Sequence, residues 1–146
     1  MKRSDALEPL SHDHHAGLAF VARLRKARRA GAEPAPLAAE VGPFWREHLV
    51  PHFGEEEAFV LPVLERGAPE LADQMVREHA AIRQSVGDIA AEPASWDRLT
   101  AFADALAAHV RFEEREAFPA AERLAADLDR LGEQIREAHD SRPPNP

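Results

Sequence analysis

The sequence predicts an all-α protein, built as an up-down-up-down antiparallel four-helix bundle. Apolar residues recur at helical spacing in four segments, and prolines and glycines separate these segments. The alternating runs of β-branched residues and the Asn-Gly turns that mark strands and hairpins are absent from the sequence. The connections between the four segments are short, and short connections join antiparallel neighbours in a bundle.

The first two predicted helices are bounded by glycine and proline. The first carries an apolar stripe, Leu10, Leu18, Val21 and Leu24, and ends in a basic turn before Gly31. A helix carboxyl end favours such cations and a glycine cap. The second begins at Pro34 or Pro36, because proline is tolerated in a first helical turn, and it runs to Gly67. We expect Pro51 to kink the second helix.

The third and fourth predicted helices complete one domain over residues 1–140. The third begins at Pro69 and ends before Pro93. The fourth begins after Ser95, a suitable N-cap, and continues to Ile135 with a bend or break near Pro119. The remaining segment, 141–146, has the sequence SRPPNP and is predicted to be a disordered tail.

Composition excludes several classes of function. The formal net charge is −8, which disfavours nonspecific binding to nucleic acid or to an anionic membrane. The chain has no cysteine, so disulfides, thiolate metal sites and iron–sulfur clusters are excluded. The sequence has neither the apolar stretch of a secretory signal nor an apolar run of roughly 20 residues. We therefore expect a cytoplasmic protein.

Histidines from all four predicted helices fall at one height in the bundle. If the chain turns near residue 32, His14 lies about 18 residues before the turn and His52 about 20 after it. A turn near residue 94 likewise brings His79 and His109 to one height, each about 15 residues away. A turn near residue 68 does the same for Glu56 and His79. A chance scatter of histidines would rarely produce this layer.

An internal repeat places the same histidine–glutamate pair on two helices. The segment HFGEEEAFVLP, which starts at His52, aligns with HVRFEEREAFP, which starts at His109, at a constant offset of 57 positions. In each copy a glutamate follows the histidine by four residues, so Glu56 and Glu113 share a helix face with their histidines. A carboxylate can bridge two cations, and imidazole suits Fe, Zn, Cu or Ni. The repeat therefore predicts a dinuclear first-row metal site in the bundle core.

The remaining histidines leave alternatives open. His14 shares a helix face with apolar residues and His15 shares one with polar residues, so burial favours His14. His15 stays an alternative, because the residues that follow it resemble those that follow His79. His48 lies one turn before His52 and is a candidate for an extra ligand or for a residue that supports one. His12 and His139 are expected to be exposed to solvent. Most of the neighbouring acids are expected to be exposed or to contact the ligands: Glu55, Glu57, Glu114 and Glu116.

The chain resembles the hemerythrin-like domains of the HHE cation-binding family over residues 7–128. The matching motifs are LSHDHHAGL, PHFGEEEAFVLP, REHAAIR and HVRFEEREAFP. The resemblance implies a four-helix bundle around a non-haem di-iron centre, in which two iron ions are bridged by two carboxylates and by a hydroxo or oxo group. Zinc and manganese are the alternative metals. Carried over residue by residue, the resemblance assigns His14 and His52 to one iron, His79 and His109 to the other, and Glu56 and Glu113 to the bridges.

The sequence departs from the oxygen-carrying hemerythrins at two positions. Those proteins have a second histidine one turn beyond the third-helix ligand, where this chain has Arg83. They also have an aspartate five residues after the fourth-helix histidine, where this chain has Glu114, and its own nearer carboxylate is Glu113. Both departures argue against reversible oxygen carriage.

We therefore expect a protein that binds or senses oxygen, a related oxidant, nitric oxide or iron. Its expected partner is a small diatomic or peroxide ligand rather than nucleic acid or a membrane, and it is expected to be a monomer or homodimer. The alternatives are a di-iron enzyme that turns over peroxide or oxygen, and a structural zinc-binding helical bundle.

Overall fold

Helices make up most of the chain in a computed structural model, which describes residues 3–143. Five helical stretches follow one another: α1, Glu8–Arg29; α2, 34–67; α3, Pro69–Ala91; α4, 96–124; and α5, Leu128–Asp140. No strand occurs within residues 3–143. The predicted all-α class is confirmed, but the described residues form five helical stretches rather than four.

The predicted fourth helix is two helices in the structure. Its first part, α4, ends at Leu124, and α5 begins at Leu128 after a three-residue break. Asp127 caps α5, because its side chain accepts a hydrogen bond from the backbone N–H of Arg130 at 3.0 Å. The prediction of one helix to Ile135 was wrong, because the helix breaks at 125–127, and Pro119 lies inside α4 rather than at the break. The apolar spacing continues across the break and therefore does not reveal it.

The other predicted helix ends are confirmed. Gly31 has a φ of 78°, the left-handed conformation that glycine adopts readily after a helix. Ser95 caps α4, because its hydroxyl accepts a hydrogen bond from the backbone N–H of Arg98 at 3.3 Å. Within the predicted first stripe, Leu18 is 41% exposed, so α1 packs through a narrower apolar face than predicted.

Three π-helical turns interrupt α2 and α4, each ending two residues before a proline. The turns cover Trp45–Leu49, Glu56–Val60 and Glu113–Ala117, and the prolines are Pro51, Pro62 and Pro119. Proline has no N–H to donate to the preceding turn and its ring crowds that turn, so the wider π turn accommodates it within a continuous helix. Two of the turns begin at Glu56 and Glu113, so the sequence repeat is also a structural repeat.

The buried apolar residues form two clusters. One contains Phe20, which stacks on Phe44 with 4.4 Å between ring centroids, and also contains Phe53. The other contains Phe118 and residues from the carboxyl-terminal helix, among them Ile135. Phe118 stacks on His14, and Phe53 from the first cluster stacks on His79. A layer of buried polar side chains, which includes these histidines, therefore lies between the two clusters.

The predicted tail at 141–146 is only partly described. Ser141 and Arg142 follow α5, and Arg142 bonds to Asp13 and Glu55. Residues 144–146 of the predicted tail lie outside the described residues. Among residues 3–143, none of the helices is both long enough and apolar enough to cross a membrane.

Gly132 marks a close approach between α5 and the segment that precedes α1. A Cβ atom at Gly132 would lie 2.9 Å from the Cα atom of Ala6, which is closer than such atoms pack. We predict that Gly132→Ala lowers the free energy of unfolding by about 1–3 kcal/mol, because backbone must move to make room. Gly87→Ala is the control, since it has nothing within 4 Å and should stabilise α3 by about 0.5–1 kcal/mol. Denaturant unfolding measures both, and equal effects would contradict the prediction.

Candidate metal centre

Six buried polar side chains meet in the layer between the two apolar clusters. Four are histidines, one from each of α1 to α4, and two are glutamates from α2 and α4: His14, His52, Glu56, His79, His109 and Glu113. None is more than 4% exposed. The structure brings together all six residues that the sequence singled out, and their role as metal ligands stays a prediction.

The first group of ligand-type atoms comes from α1, α2 and α4. His14 Nε2 lies 3.0 Å from Glu113 Oε1, and His52 Nε2 lies 3.1 Å from Glu56 Oε2. One atom from each of these four residues lies within 4.8 Å of the others. Two imidazole nitrogens and two carboxylate oxygens therefore face one point in the core.

The second group uses the same glutamates from the opposite side. His79 Nε2 lies 3.0 Å from Glu56 Oε1, and His109 Nε2 lies 3.2 Å from Glu113 Oε2. These four residues also offer atoms that lie within 4.8 Å of one another. Each glutamate thus presents one oxygen to each histidine pair, which is the arrangement that a bridging carboxylate requires.

Each group contains buried atoms that have no hydrogen-bond partner among the described residues. Those that face the centre are His52 Nε2 and Glu56 Oε2 in the first group, and His109 Nε2 and Glu113 Oε2 in the second; the two atoms of each pair lie close together but not in hydrogen-bonding geometry. A buried polar atom without a partner costs about 1–3 kcal/mol. Nitrogen and carboxylate oxygen are donor types that first-row cations accept, so the residues present fit one cation in each group.

Acidic side chains hold the outer nitrogens of two histidines across helix pairs. His52 Nδ1 lies 2.9 Å from Asp13 Oδ2, and His109 Nδ1 lies 2.7 Å from Glu78 Oε1. Each acid directly precedes the buried histidine of its own helix and bonds to the histidine of the next helix. A proton held on Nδ1 by a carboxylate leaves Nε2 free for a metal, which is the usual support for a histidine ligand.

The residues that follow the two central glutamates face the outer nitrogens of the other two histidines. His14 Nδ1 hydrogen-bonds to Glu114 Oε2 at 3.1 Å, whereas His79 Nδ1 lies 3.5 Å from Glu57 Oε1 and has no hydrogen-bond partner among the described residues. Glu57 and Glu114 are related by the same repeat as the central glutamates. Glu57 and Glu114 were expected in solvent or in contact with the ligands, whereas the pairing of Asp13 and Glu78 with histidines of the next helix could not be read from spacing alone.

Opposite charges dominate the electrostatics of the layer. Burial alone would lower the pKa of His14, but its hydrogen bonds to Glu113 and Glu114 raise that pKa to about 10. Burial would raise the pKa of Glu56, but the charge of His52 and the neighbouring hydrogen bonds hold it well below its usual range. Without a cation, protons on the imidazoles balance the two buried carboxylates.

A mostly apolar pocket reaches both groups of ligand-type atoms. Its walls include Phe44, Leu49 and Leu106, and it touches His14 and His52 of the first group and His109 of the second. His48 lines the same pocket with its ring stacked on Phe44 at 5.0 Å between centroids. His48 is therefore part of the wall and does not belong to either group of ligand-type atoms.

The structure distinguishes the histidines that the sequence left open. His14 is buried in the first group, whereas His15 is exposed and packs against exposed His12. The expectation that His139 is solvent-exposed was wrong, because its side chain is 26% exposed and hydrogen-bonds to buried Glu55 at 3.2 Å. The spacing of Leu131, Ile135 and His139 at intervals of four is the signal that could have placed His139 on the packed face of α5.

Comparison with known families identifies the chain. The model of the hemerythrin HHE cation-binding domain matches residues 5–121, which include all six central residues and end before α5. Neither a curated protein nor a solved structure matches the chain. Because the family model covers well over half of the sequence, the protein belongs to the hemerythrin HHE cation-binding family.

Proposed function

We propose that this protein holds two iron ions in a non-haem dinuclear centre and binds a small oxygen-derived or diatomic ligand there. The observation that carries the proposal is the placement of Glu56 and Glu113, each with one oxygen toward each histidine pair. His14 and His52 would hold one ion, His79 and His109 the other, and the glutamates would bridge. When bound, such a centre supplies electrons to an oxygen ligand.

We also infer that α1 to α4 form the antiparallel four-helix bundle expected for the family. The four Nε2 atoms that approach the same two carboxylates support this arrangement, because each comes from a different one of these helices. The carboxyl-terminal helix α5 would then be an addition that packs on the bundle through residues such as Leu131 and Ile135.

The donor set suits iron and leaves room for a further ligand. Each group offers two imidazole nitrogens and two carboxylate oxygens, fewer than the six donors of an octahedral ion. Two ferrous ions and two carboxylates leave a net charge that attracts an anionic adduct. The mostly apolar pocket beside His14, His52 and His109 would hold a small uncharged molecule such as O₂ or NO next to the centre.

Metal content per chain tests the proposal. We expect close to two irons per chain, measured by elemental mass spectrometry on untagged protein from iron-supplemented cells. An oxygen- or nitric-oxide-dependent change in the optical spectrum of the reduced protein would then identify the ligand class. One zinc per chain, or no metal, would overturn the proposal and favour a structural zinc bundle or a metal-free one.

Turnover of peroxide is a second candidate function, and His48 favours it. His48 is half-buried in the wall of the pocket, where its imidazole could give a proton to a ligand that leaves the centre. Steady-state assays distinguish the two functions, because a sensor reacts once per centre and an enzyme reacts repeatedly. Loss of repeated turnover in His48→Gln, with metal content unchanged, would support the enzyme.

Metal binding should release protons and change how stability depends on pH. The raised pKa of His14, about 10 against 6.5 in its unperturbed state, means that the folded metal-free protein binds a proton more tightly than the unfolded chain. This contribution is complete below pH 6.5 and is lost as the pH rises toward 10. Metal binding has the opposite dependence, because a cation must displace the protons.

The measurement is thermal unfolding of metal-free and metal-loaded protein across this pH range. We expect the melting temperature of the metal-free protein to fall as the pH rises above 6.5, and the gap to the loaded protein to widen. A metal-free protein that becomes more stable over the same interval would contradict the assigned protonation of the centre.

A further inference from the structure

Arg142 closes a chain of contacts that leads to the metal centre from outside the region matched by the family model. Its guanidinium donates hydrogen bonds to both carboxylate oxygens of Asp13, at 3.2 Å and 2.8 Å. Its Nε donates to Glu55 Oε2 at 2.5 Å. The side chains of Arg142 and Asp13 are only 20% and 17% exposed, and that of Glu55 is 7% exposed. A forked, largely buried contact of this kind orients a carboxylate more strongly than a surface ion pair does.

Asp13 passes this constraint to a predicted metal ligand. The same oxygen, Asp13 Oδ2, accepts a hydrogen bond from Arg142 and another from His52 Nδ1 at 2.9 Å. The orientation of the His52 ring, and therefore the direction of its Nε2 atom, depends on where this carboxylate is held. His139 fastens the same end of the chain through its hydrogen bond to Glu55.

The second group has no equivalent contact. Glu78 holds His109 Nδ1, and its other oxygen accepts a hydrogen bond from Gln74 Nε2 within the same helix at 2.8 Å. Among residues 3–143 no arginine bonds to Glu78. His52 in the first group is thus connected, through Asp13, to the residues that follow α5, whereas His109 in the second group is held through Glu78 by α3 alone.

We propose that Arg142 is a positioning residue for His52, acting through Asp13, and that it makes the first metal position depend on the carboxyl-terminal segment. The metal part of this inference rests on the proposed function. Loss of Arg142 frees the Asp13 carboxylate to rotate, so His52 loses its fixed acceptor. Loss of a direct support of a ligand, such as Asp13, costs about 10–100-fold in metal affinity. Arg142 acts one contact further out, so we expect the affinity of the first position to fall by about tenfold, the lower end of that range.

The test follows metal release during a chelator challenge. We expect Arg142→Gln to release one metal per chain about tenfold faster than the parent and to release the other at the parent rate. Arg142→Lys keeps the positive charge but cannot donate two hydrogen bonds to Asp13 in the planar geometry of a guanidinium, so its release rate should lie between those of the parent and Arg142→Gln. Arg130→Gln is the matched control, because it removes an exposed α5 arginine that pairs with Glu133, and it should match the parent.

A second variant shows whether the effect runs through Asp13. We expect Asp13→Asn to accelerate release of the same metal, and the Asp13→Asn/Arg142→Gln double variant to add little to it. Additive effects, equal acceleration of both metals, or parent-like release from Arg142→Gln would each overturn the inference. Circular dichroism establishes that each variant is folded, and Asp13→Asn with Arg142→Lys carries the test if Arg142→Gln does not fold.

Nitrogen-correlated NMR of the histidine rings separates this inference from the proposed function. The spectra are recorded on metal-free and zinc-loaded protein, where no paramagnetic ion broadens the ring signals, and we expect Arg142→Gln to shift the His52 Nδ1 signal and to leave that of His109 in place. A parent with fewer than two metals would overturn the dinuclear centre but leave this measurement decisive. An unchanged His52 signal would overturn the positioning role even if the parent is found to bind two irons.

Discussion

Glu56→Ala and Glu113→Ala should each deprive the protein of both metals rather than one. Each carboxylate presents an oxygen to both histidine pairs, so either substitution removes one donor from both groups. Removing a buried anion also leaves imidazolium charges without a partner, which is unfavourable in the core. Elemental mass spectrometry of the purified variants measures the loss directly.

The same substitutions should lower the melting temperature. A metal present at 1,000 times its dissociation constant stabilises a folded protein by about 4 kcal/mol, so two such metals contribute about 8 kcal/mol. For a chain of this size, the loss of that amount lowers the melting temperature by on the order of 20 °C. The two variants should resemble each other, because Glu56 and Glu113 occupy equivalent positions in the repeat and are both fully buried.

Glu116→Ala is the matched control for Glu113→Ala. Glu116 lies in the same π-helical turn and is exposed, and it belongs to neither group of ligand-type atoms. We expect it to keep the parent metal content and melting temperature. A Glu56→Ala or Glu113→Ala protein that retains both metals would contradict the bridging assignment.

The sequence was most informative where two independent patterns agreed. Helical height placed His14, His52, His79 and His109 in one layer, and the repeat placed a glutamate next to two of them. Both patterns depend only on helix geometry, which is nearly constant from protein to protein. The structure accordingly brings these side chains together.

Features that depend on packing between distant segments were not predictable. The break at 125–127 escaped notice because apolar spacing continues on both sides of Asp127, although that residue is itself a good N-cap. The contact of Arg142 with Asp13 joins residues 129 positions apart. Local sequence carries no signal for such a pair, since a cation near a helix end is equally consistent with solvent exposure.

The π-helical turns show an intermediate case. Prolines inside α2 and α4 indicated irregular helices, but a kink, a break and a wider turn all accommodate proline. The structure contains the wider turn before Pro62 and before Pro119, and each turn begins at a central glutamate. The proline of the repeat and the glutamate of the repeat thus belong to one local structure, which explains why both recur at the same offset.

His14→Ala should remove the metal from the first position, and His15→Ala should leave both metals in place. His14 is 4% exposed, points Nε2 at Glu113 and stacks on Phe118 with 5.4 Å between ring centroids, so its loss removes a donor and opens a cavity. His15 is the next residue of the same helix and is exposed on a different face. The two variants therefore compare the same substitution on a buried and an exposed face of α1. Metal content and melting temperature should fall together in His14→Ala. Retention of both metals there, or their loss in His15→Ala, would assign the α1 ligand to the other histidine and move the first position away from Glu113.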